Sequence, residues 1–574
     1  MALTDSFPHW LKGYDASAFP ADLLAGFILA ILLVPQAMAY ALLAGLPPSA
    51  GLYAAIAPPL IYMVFGTSAY VSMGPVALAS LLVADALGGT DLPRGEAAAI
   101  IALETGAMLA LLGLFRLGRL VNFVSEPAML GFTAAAAVLI AASQLPPLLG
   151  LDVERNGDLI AAARGIIPAL ERTNVAALAI GGTALALLVV ANRYAAAGLW
   201  KLGVHPPWRQ ALVKSVPLLV IVGAAVAAAA GGYRVATVGE ASAGLPGFSL
   251  PPFALGPWLA LLPSSAVVAV IVFVIGAAVA KSLAGRERRA LDTSREALAI
   301  GAANIGAGLT GGYAVGVSLS RSALVYESGA RSPIASGTAA LIVLAVVAFL
   351  SPALAYLPET ALAALVISAV FGLVKTRQIA AIRKQSKAEF SVFLVTLAAT
   401  LAFGVKWGLA LGALLGLAVY LWVSSVPRVT RVGSLDENGD AFRSVERDGV
   451  EPDTLPVLVV RIDRSIYFGN AAYCEDRILS FLARHPDASC LVLDMRAVNS
   501  IDASGVAMLQ RLIDTLGEKK LTVDFAATHQ PVHEALQRNH VIRTREFFTT
   551  VPEGVESCRE RADGKGEKKE CGEA

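Results

Sequence analysis

The sequence predicts a polytopic α-helical membrane protein of about fourteen spans, a 7+7 inverted repeat with two half-helices, followed by a small α/β domain. Three observations predict it. The 574 residues are 56% hydrophobic and only 16% charged, with the charges crowded into a few connections and the last quarter. Apolar segments recur near 22–44, 48–66, 75–89, 96–117, 124–143, 174–191, 212–231, 264–282, 293–311, 320–332, 334–350, 357–374, 387–404 and 406–424. The third and tenth fall short of the roughly 20 apolar residues that cross a hydrocarbon core, so they read as half-helices. After 455 the apolar runs shorten and alternate, as strands and amphipathic helices do.

These elements divide the chain into a cytoplasmic N-terminal segment (1–20), a transmembrane domain (21–427), a charged linker (428–454), a cytoplasmic α/β domain (455–558) and a disordered tail (559–574). Basic residues such as Arg116, Arg209, Arg286 and Arg383 gather on even-to-odd connections, which puts both termini in the cytoplasm. Trp258, Trp407 and Trp422 lie at the ends of spans, where an amphipathic ring favours the headgroup level. The first twenty residues lack the apolar core of a secretory signal, so the first span directs insertion.

Composition also excludes classes. A net charge of +1 gives no basic footprint for nucleic acid. No P-loop, dinucleotide fingerprint or nucleophile–base pair stands in a sensible context, so neither an enzyme nor a cofactor is expected. His529 and His533 are four apart without further ligands, and no metal site is expected. Cys474, Cys490, Cys558 and Cys571 match neither a zinc knuckle nor a CxxC pair and read as free thiols.

The chemistry concentrates in LTGGYAVGVSLSRSALVYESG, residues 309–329. Gly311, Gly312 and Gly316 permit the extended, close-packed backbone that precedes a half-helix at membrane depth. Ser318, Ser320 and Ser322 supply hydroxyls, with Ser320 the expected helix cap, and Arg321 adds a permanent charge. A cation is the wrong sign for a helix N-terminus, so something negative is expected there. The matching half is SAYVSMGPVALASLLVADAL, residues 68–87, where Gly74 and Pro75 set up a helix start and Val76, Ala77 and Leu78 offer backbone N–H groups. Opposed N-termini of this kind make an anion seat. The competing reading is a pair of ordinary kinked helices, with Arg321 snorkelling or paired to protein.

The run LLVPQAMAYALLAGLPPSAGLYAAIAPPLIYMVFGTSAYVSMGPVALASLL at 32–82 resembles the signature of the sulfate permease (SulP) family, the solute carrier 26 class of anion transporters. SEPAMLGFTAAAAVLIAASQLP at 125–146, the 309–329 stretch and the α/β tail support the same resemblance. It implies core and gate parts, a homodimer, an elevator-like shift, and a substrate held between the starts of spans 3 and 10 beside span 1. Carried to this chain, it implies substrate contacts at Gln36, Tyr40, Val76, Ala77, Ser318, Ser320, Arg321 and Ser322. For Gln36 and Tyr40, interhelical packing is the competing role.

One departure bears on coupling. Family members that couple uptake to a cation carry an acid in span 8, whereas this chain aligns Val272, Phe273, Val274, Ile275 and Gly276, with Ile275 at the acid position. An isoleucine neither changes charge nor ligates an ion, and no histidine lies within a span. Asp85, Glu104, Glu126 and Glu327 are the remaining membrane acids considered. Exchange or facilitated anion passage is therefore expected rather than tight proton symport.

The C-terminal domain resembles the STAS domain, similar to bacterial anti-anti-sigma factors. Val506, Leu509, Leu512, Ile513 and Leu516 fall on one helical face. IDASG at 501–505 matches the loop whose serine is phosphorylated in those factors, here Ser504. A helix cap is its ordinary role and regulated phosphorylation the alternative, through a cytoplasmic regulator of the domain.

Sulfate is the first choice of cargo, with bicarbonate, chloride or a dicarboxylate as alternatives, one of them coupled to a cation through another acid. Membrane lipid is the remaining partner, in a multi-pass inner-membrane setting. A membrane-anchored STAS signalling protein is the reading from a different class. A nucleobase permease of similar topology is disfavoured by the charge in span 10.

Overall fold

The computed structural model describes residues 10–11, 14–119, 124–153, 159–205, 208–239, 244–288, 290–434, 442–445, 456–541 and 547–562. The chain folds as two compact units, Met1–Leu417 and Ala418–Ala574.

The membrane helices run α1 (Phe19–Leu43), α2 (Pro48–Ala54), α3 (Ala57–Phe65), α4 (Ala77–Leu87), α5 (Arg94–Leu114), α6 (Glu126–Ser143), α7 (Leu145–Leu149), α8 (Leu159–Ala169) and α9 (Val175–Lys201). They continue through α10 (Trp208–Ala230), α11 (Leu255–Arg286), α12 (Thr293–Leu309), α13 (Leu319–Glu327), α14 (Ile334–Leu354), α15 (Glu359–Val370), α16 (Thr376–Gln385), α17 (Lys387–Phe403) and α18 (Val405–Ser425). Among the described residues, ten helical stretches are long and apolar enough to cross a membrane. The 17-residue α12 and α17, with the half-length α4 and α13, complete the fourteen expected from the sequence. The protein is a multi-pass membrane protein.

Two short strands, β1 (Met73–Gly74) and β2 (Gly316–Val317), precede the half-helices and pair antiparallel, Met73 with Val317 and Gly74 with Gly316. This pairing carries the site, because it fixes the start of α4 against the start of α13 across more than 240 residues of chain. Around it the helices pack closely. A Cβ on Gly106 of α5 would lie 2.7 Å from the carbonyl oxygen of Gly301 in α12, so only glycine allows the two backbones to approach this far.

Two carboxylates that sequence reading passed over knit this unit. Asp22 in the first turn of α1 accepts from the backbone N–H groups of Arg331 (2.7 Å) and Ser332 (3.1 Å), from the Ser332 hydroxyl (2.6 Å) and from the Tyr14 hydroxyl (2.9 Å). Glu296 in α12 accepts from the hydroxyls of Tyr62 (2.6 Å) and Thr67. Both acids are fully buried with several donors each, which is how a carboxylate tolerates such a place.

The second unit holds a six-stranded sheet of order β4-β3-β5-β6-β7-β8, from β3 (Val429–Ser434), β4 (Phe442–Ser444), β5 (Val457–Ile462), β6 (Cys490–Asp494), β7 (Thr522–Ala526) and β8 (Phe547–Phe548). β3 runs antiparallel to its neighbours and β5 to β8 are parallel. Alternation along β5 sends Leu458, Val460 and Ile462 to one apolar core and Val457 and Val459 to the other. The first core includes buried residues of α19 (Ala471–Arg484), α20 (Ala503–Glu518) and α21 (Gln530–Arg538). Val551, Val555 and Cys558 of α22 (Val551–Ala562) close the second. In α20, Val506, Leu509, Leu512 and Leu516 are buried, with Ile513 half-buried beside them, as the sequence predicts.

Several expectations are corrected here. The stretch read as a linker contains β3 and β4, because Val429, Val432 and Phe442 have sheet faces to fill despite the charges between them. Helix α22 continues to Ala562, four residues into the stretch read as a disordered tail, and 563–574 lie outside the described residues. The four cysteines are not all free. Cys490 and Cys558 form a disulfide with Cα atoms 6.1 Å apart, brought together when α22 packs across β6. Cys474 is a free thiol that burial pushes up to about 12, which keeps it protonated, and Cys571 lies outside the described residues. Asp502, not Ser504, caps α20, accepting from Gly505 N–H at 2.8 Å, while Ser504 is exposed in the first turn.

Candidate functional site

The site is built from three pieces of chain: α1 near Pro35, the β1–α4 corner and the β2–α13 corner. Pro35 interrupts α1 and withholds an N–H from the carbonyl of Ile31, immediately before Gln36. Gly74 in β1 has φ +147°, a conformation that other residues rarely adopt, and a Cβ there would lie 3.4 Å from Nη2 of Arg321. Beyond β1 and β2 the backbone turns into helix on both sides, so each strand end becomes a helix N-terminus.

Arg321 is fully buried at the start of α13 and reaches across to the opposite corner. Its Nη1 donates to the carbonyl of Pro75 (2.8 Å) and to Oε1 of Gln36 (3.4 Å), and its Nε donates to the Ser72 hydroxyl (3.3 Å). Its Nη2 has no hydrogen-bond partner among the described residues. Each partner is neutral, so the guanidinium is held in place without being neutralised. An arginine only donates, so Gln36 must turn its oxygen toward Arg321, and its NH2 group remains to donate elsewhere.

The remaining expected residues divide by task. Ser318 caps α13, its hydroxyl accepting from Arg321 N–H at 3.4 Å, so the cap is Ser318 rather than Ser320. The reason is that β2 ends at Val317, which leaves Ser318 extended at φ −97° and ψ 118° while Ser320 is already in the helix. Ser320 is exposed and lies 3.3 Å from the Ser318 hydroxyl. Ser322 is buried and its hydroxyl accepts from Ser72 N–H at 2.9 Å, which ties α13 to β1. Val76 is the N-cap of α4 and makes no side-chain cap bond; Ala77 begins the helix, so Pro75 stands before it rather than in its first turn. Tyr40 is buried on α1, four residues after Gln36 and on the same side of the helix.

Sequence reading missed the supports. Asn304 in α12 holds Val315 by both backbone groups, accepting from its N–H at 2.8 Å and donating to its carbonyl at 3.1 Å, which aligns the entry to β2. The Tyr313 and Ser80 hydroxyls meet at 2.9 Å and link the β2 approach to α4. Ser72 had a signal, as it stands two residues before the Gly74–Pro75 pair, but its role depends on a partner 249 residues away.

A narrow cavity of about 10 Å³, room for about one water, lies between the two corners and α11. Val76, Gly316, Val272 and Ile275 are among its lining residues. Position 275 therefore does face the two corners, and the residue there is apolar. A larger cavity of about 370 Å³ lies at the start of α6 against α16 and α17, lined in part by Glu126, Gln378 and Glu389. Its carboxylates give it the wrong sign for an anion, and Arg321 is not among its lining residues. Glu327 ends α13 and is exposed, not turned toward Arg321.

Two opposed helix starts with a buried, unneutralised cation between them can hold a small oxyanion by N–H donation and charge together.

Comparison with known proteins agrees with this arrangement. Residues 19–396 match the model of the sulfate permease family and residues 445–554 that of the STAS domain. The chain is 32% identical over 569 residues to sulfate transporter 4.1, chloroplastic, of Arabidopsis thaliana, covering 96% of this chain and 82% of that one. It is 31% identical over 562 residues to a probable sulfate transporter of Mycobacterium tuberculosis, covering 96% of each. Its fold matches the solved structure of SLC26A9 with a TM-score of 0.86 at 22% identity, over 98% of this chain and 93% of that one. It matches the transmembrane domain of the cyanobacterial bicarbonate transporter BicA with a TM-score of 0.59 at 17% identity, over 69% and 98%. The family is one of transporters rather than enzymes. A seat between two half-helices in a fourteen-span fold, a C-terminal STAS domain and matches across nearly the whole length lead to one conclusion: the chain belongs to the sulfate permease family.

Proposed function

We propose that the protein is a secondary transporter that carries a small inorganic anion, sulfate first, in the seat between the starts of α4 and α13. The observation that carries this reading is Arg321: fully buried, bonded only to neutral acceptors, and with Nη2 unpartnered. Leaving a buried cation uncompensated costs several kcal/mol, and a bound anion offsets that cost while also satisfying the helix N-termini. That both of these relatives are named as sulfate transporters favours sulfate over bicarbonate, chloride or a dicarboxylate. Gln36 donates its NH2 group to the anion and Tyr40 walls the seat; Val76 and Ala77 present the α4 start, and Ser318 and Ser320 offer hydroxyls from α13. Ser322 acts through Ser72 rather than by touching the cargo.

Movement is elevator-like, by a homodimer in the cytoplasmic membrane with both termini inside. The isoleucine at position 275, beside the seat, favours exchange or facilitated passage over tight proton symport. A phosphate on Ser504, exposed in the first turn of α20, would be a regulatory input to the STAS domain rather than part of transport.

The test is a competition panel of unlabelled anions against labelled sulfate in proteoliposomes, repeated for Arg321→Ala. Sulfate is expected to compete best, and the variant to remain folded while losing uptake. A panel in which bicarbonate displaces sulfate transfers the reading to bicarbonate, and unchanged uptake by Arg321→Ala overturns the seat. Concentrative sulfate uptake driven by an inward proton gradient at fixed voltage would remove the exchange reading. Deleting 428–574, which takes β3 and β4 with the rest of their sheet, addresses the signalling alternative: a transporter keeps its anion seat without the STAS domain.

A further inference from the structure

Outside the anion seat, one buried carboxylate among the described residues has an orphaned oxygen and no ion pair to account for it. Glu104 stands halfway along α5, 5% exposed, and its Oε2 has no hydrogen-bond partner among the described residues. Asp22 and Glu296 are buried as deeply, yet donors surround them. The side chain that acts on Glu104 is Ser265 of α11, which is fully buried and whose hydroxyl oxygen is also without a partner. The Thr105 hydroxyl, next to Glu104 in the chain, donates to the backbone carbonyl of Ser265 at 3.3 Å and fixes the two helices at this level. Two orphaned polar atoms thus share one mid-helix site. An ionised carboxylate there costs several kcal/mol.

We infer that Glu104, packed near Ser265, is a proton-binding site separate from the anion seat, at which the buried Oε2 of Glu104 carries the proton. A single proton removes the charge. A sodium ion would also neutralise the carboxylate, but hard cations gather about six oxygen ligands, more than this pair with Thr105 supplies. Among the described residues, no charged group acts on Glu104 from the packed elements. Asp85 on α4 and Arg94 and Glu96 on α5 lie at least eight residues from the level of this site or at its far helix end, Glu296 lies in the first turn of α12, and Lys281 and Arg286 are sixteen or more residues beyond Ser265 on α11.

The site has a mechanical connection to the seat. Ser265 and Val272 are seven residues apart, two helical turns on one face of α11, and Val272 and Ile275 line the narrow cavity beside Val76 and Gly316. Behind α5 there is no slack, since Gly106 is against the backbone of Gly301. A change of charge at Glu104 therefore acts through α11, the helix that carries Val272 and Ile275 to the seat. The proton tunes the carrier from a fixed place and is not carried with the anion. This inference goes beyond the transport reading and relies on it only for the uptake arm of its test.

The experiment compares wild type, Glu104→Gln and Ser265→Ala in proteoliposomes, with pH set equal on both sides. Wild-type sulfate uptake is expected to fall at high pH, approaching tenfold per unit beyond the midpoint. Glu104→Gln, which keeps the shape and a donor, is expected to hold the low-pH rate at every pH, and Ser265→Ala, which removes a hydroxyl able to donate to the ionised carboxylate, to move the midpoint upward. Infrared spectra of the full chain supply the second arm. A protonated-carboxyl stretch present at neutral pH and missing from Glu104→Gln supports the site even if sulfate proves the wrong cargo. A Glu104→Gln spectrum that keeps the wild-type carboxyl bands, or a variant pH profile identical to wild type, overturns it. Uptake that depends on sodium rather than pH assigns the pair to a sodium ion and overturns the proton.

Discussion

The two half-helices that meet at the seat are alike in position and opposite in chemistry. Helix α4 begins at Ala77, after the N-cap Val76, with no side-chain cap, so its first N–H groups are the bare donors that every α-helix start leaves over. Helix α13 begins with a serine cap and a buried arginine, and its arginine bonds the carbonyl of Pro75 in the opposite corner. One tip supplies backbone and the other supplies charge, and the charged tip holds the bare one in register. The difference teaches that the repeat constrains geometry while the two halves share out the chemistry. A seat with two arginines would repel itself, and one with two bare tips would bind weakly in water's presence.

The largest expected effect comes from the charged tip. Arg321→Ala removes the cation and three hydrogen bonds, two to the opposite corner and one to α1, and labelled sulfate binding to detergent-solubilised protein should weaken by at least about 3 kcal/mol, on the order of a hundredfold. Arg321→Lys separates the two contributions. A lysine restores the charge without the planar fork, so it cannot reach Pro75, Gln36 and Ser72 together. Binding is expected to return only in part; full recovery would mean that charge alone matters and that the cross-corner bonds are incidental.

The bare tip is broken from the other direction. Val76→Asp gives α4 a side-chain cap, which normally stabilises a helix start by about 1 kcal/mol. It also places a carboxylate where the cargo's charge belongs. Thermal stability in the absence of sulfate should rise or hold, while sulfate binding falls by about tenfold or more. A variant that gains stability and still binds sulfate would show that the α4 N–H groups do not face the anion.

Much of this asymmetry was legible in the sequence. The glycines, the lone Arg321 and the short third and tenth segments mark the seat because each violates a rule for ordinary spans, and rule-breaking residues stand out locally. The supports do not. Asn304, Tyr313 and Ser72 are ordinary residue types whose roles exist only once β1 pairs with β2, so nothing near them in the chain announces the role. The disulfide escaped for the same reason, as its cysteines are separated by 68 positions and meet through the packing of α22. In the second unit the misplaced boundary at 455 came from weighing charge over alternation, since Val429 and Val432 fill different faces of β3 between polar neighbours. Ser318 and Ser320 were indistinguishable by type, and what decides between them is where β2 stops.

That last choice gives the smallest and sharpest test. If Ser318 is the cap, Ser318→Ala removes one acceptor from the first turn of α13 and should cost about 1 kcal/mol, seen as an affinity for sulfate about fivefold weaker because the loosened turn carries Arg321. Ser318→Asp would restore the cap yet bring a negative charge to the tip, so stability should recover while binding does not. Ser320→Ala should leave the thermal midpoint unchanged, because Ser320 is exposed and bonds only within the turn. Any effect of Ser320→Ala would have to come from a lost contact to the anion, so a stability scan beside a sulfate titration separates a serine that builds the tip from one that touches the cargo. Equal effects of the two alanine variants on stability would show that the turn is capped by whichever hydroxyl is present, and the contrast drawn between α4 and α13 would then reduce to Arg321 alone.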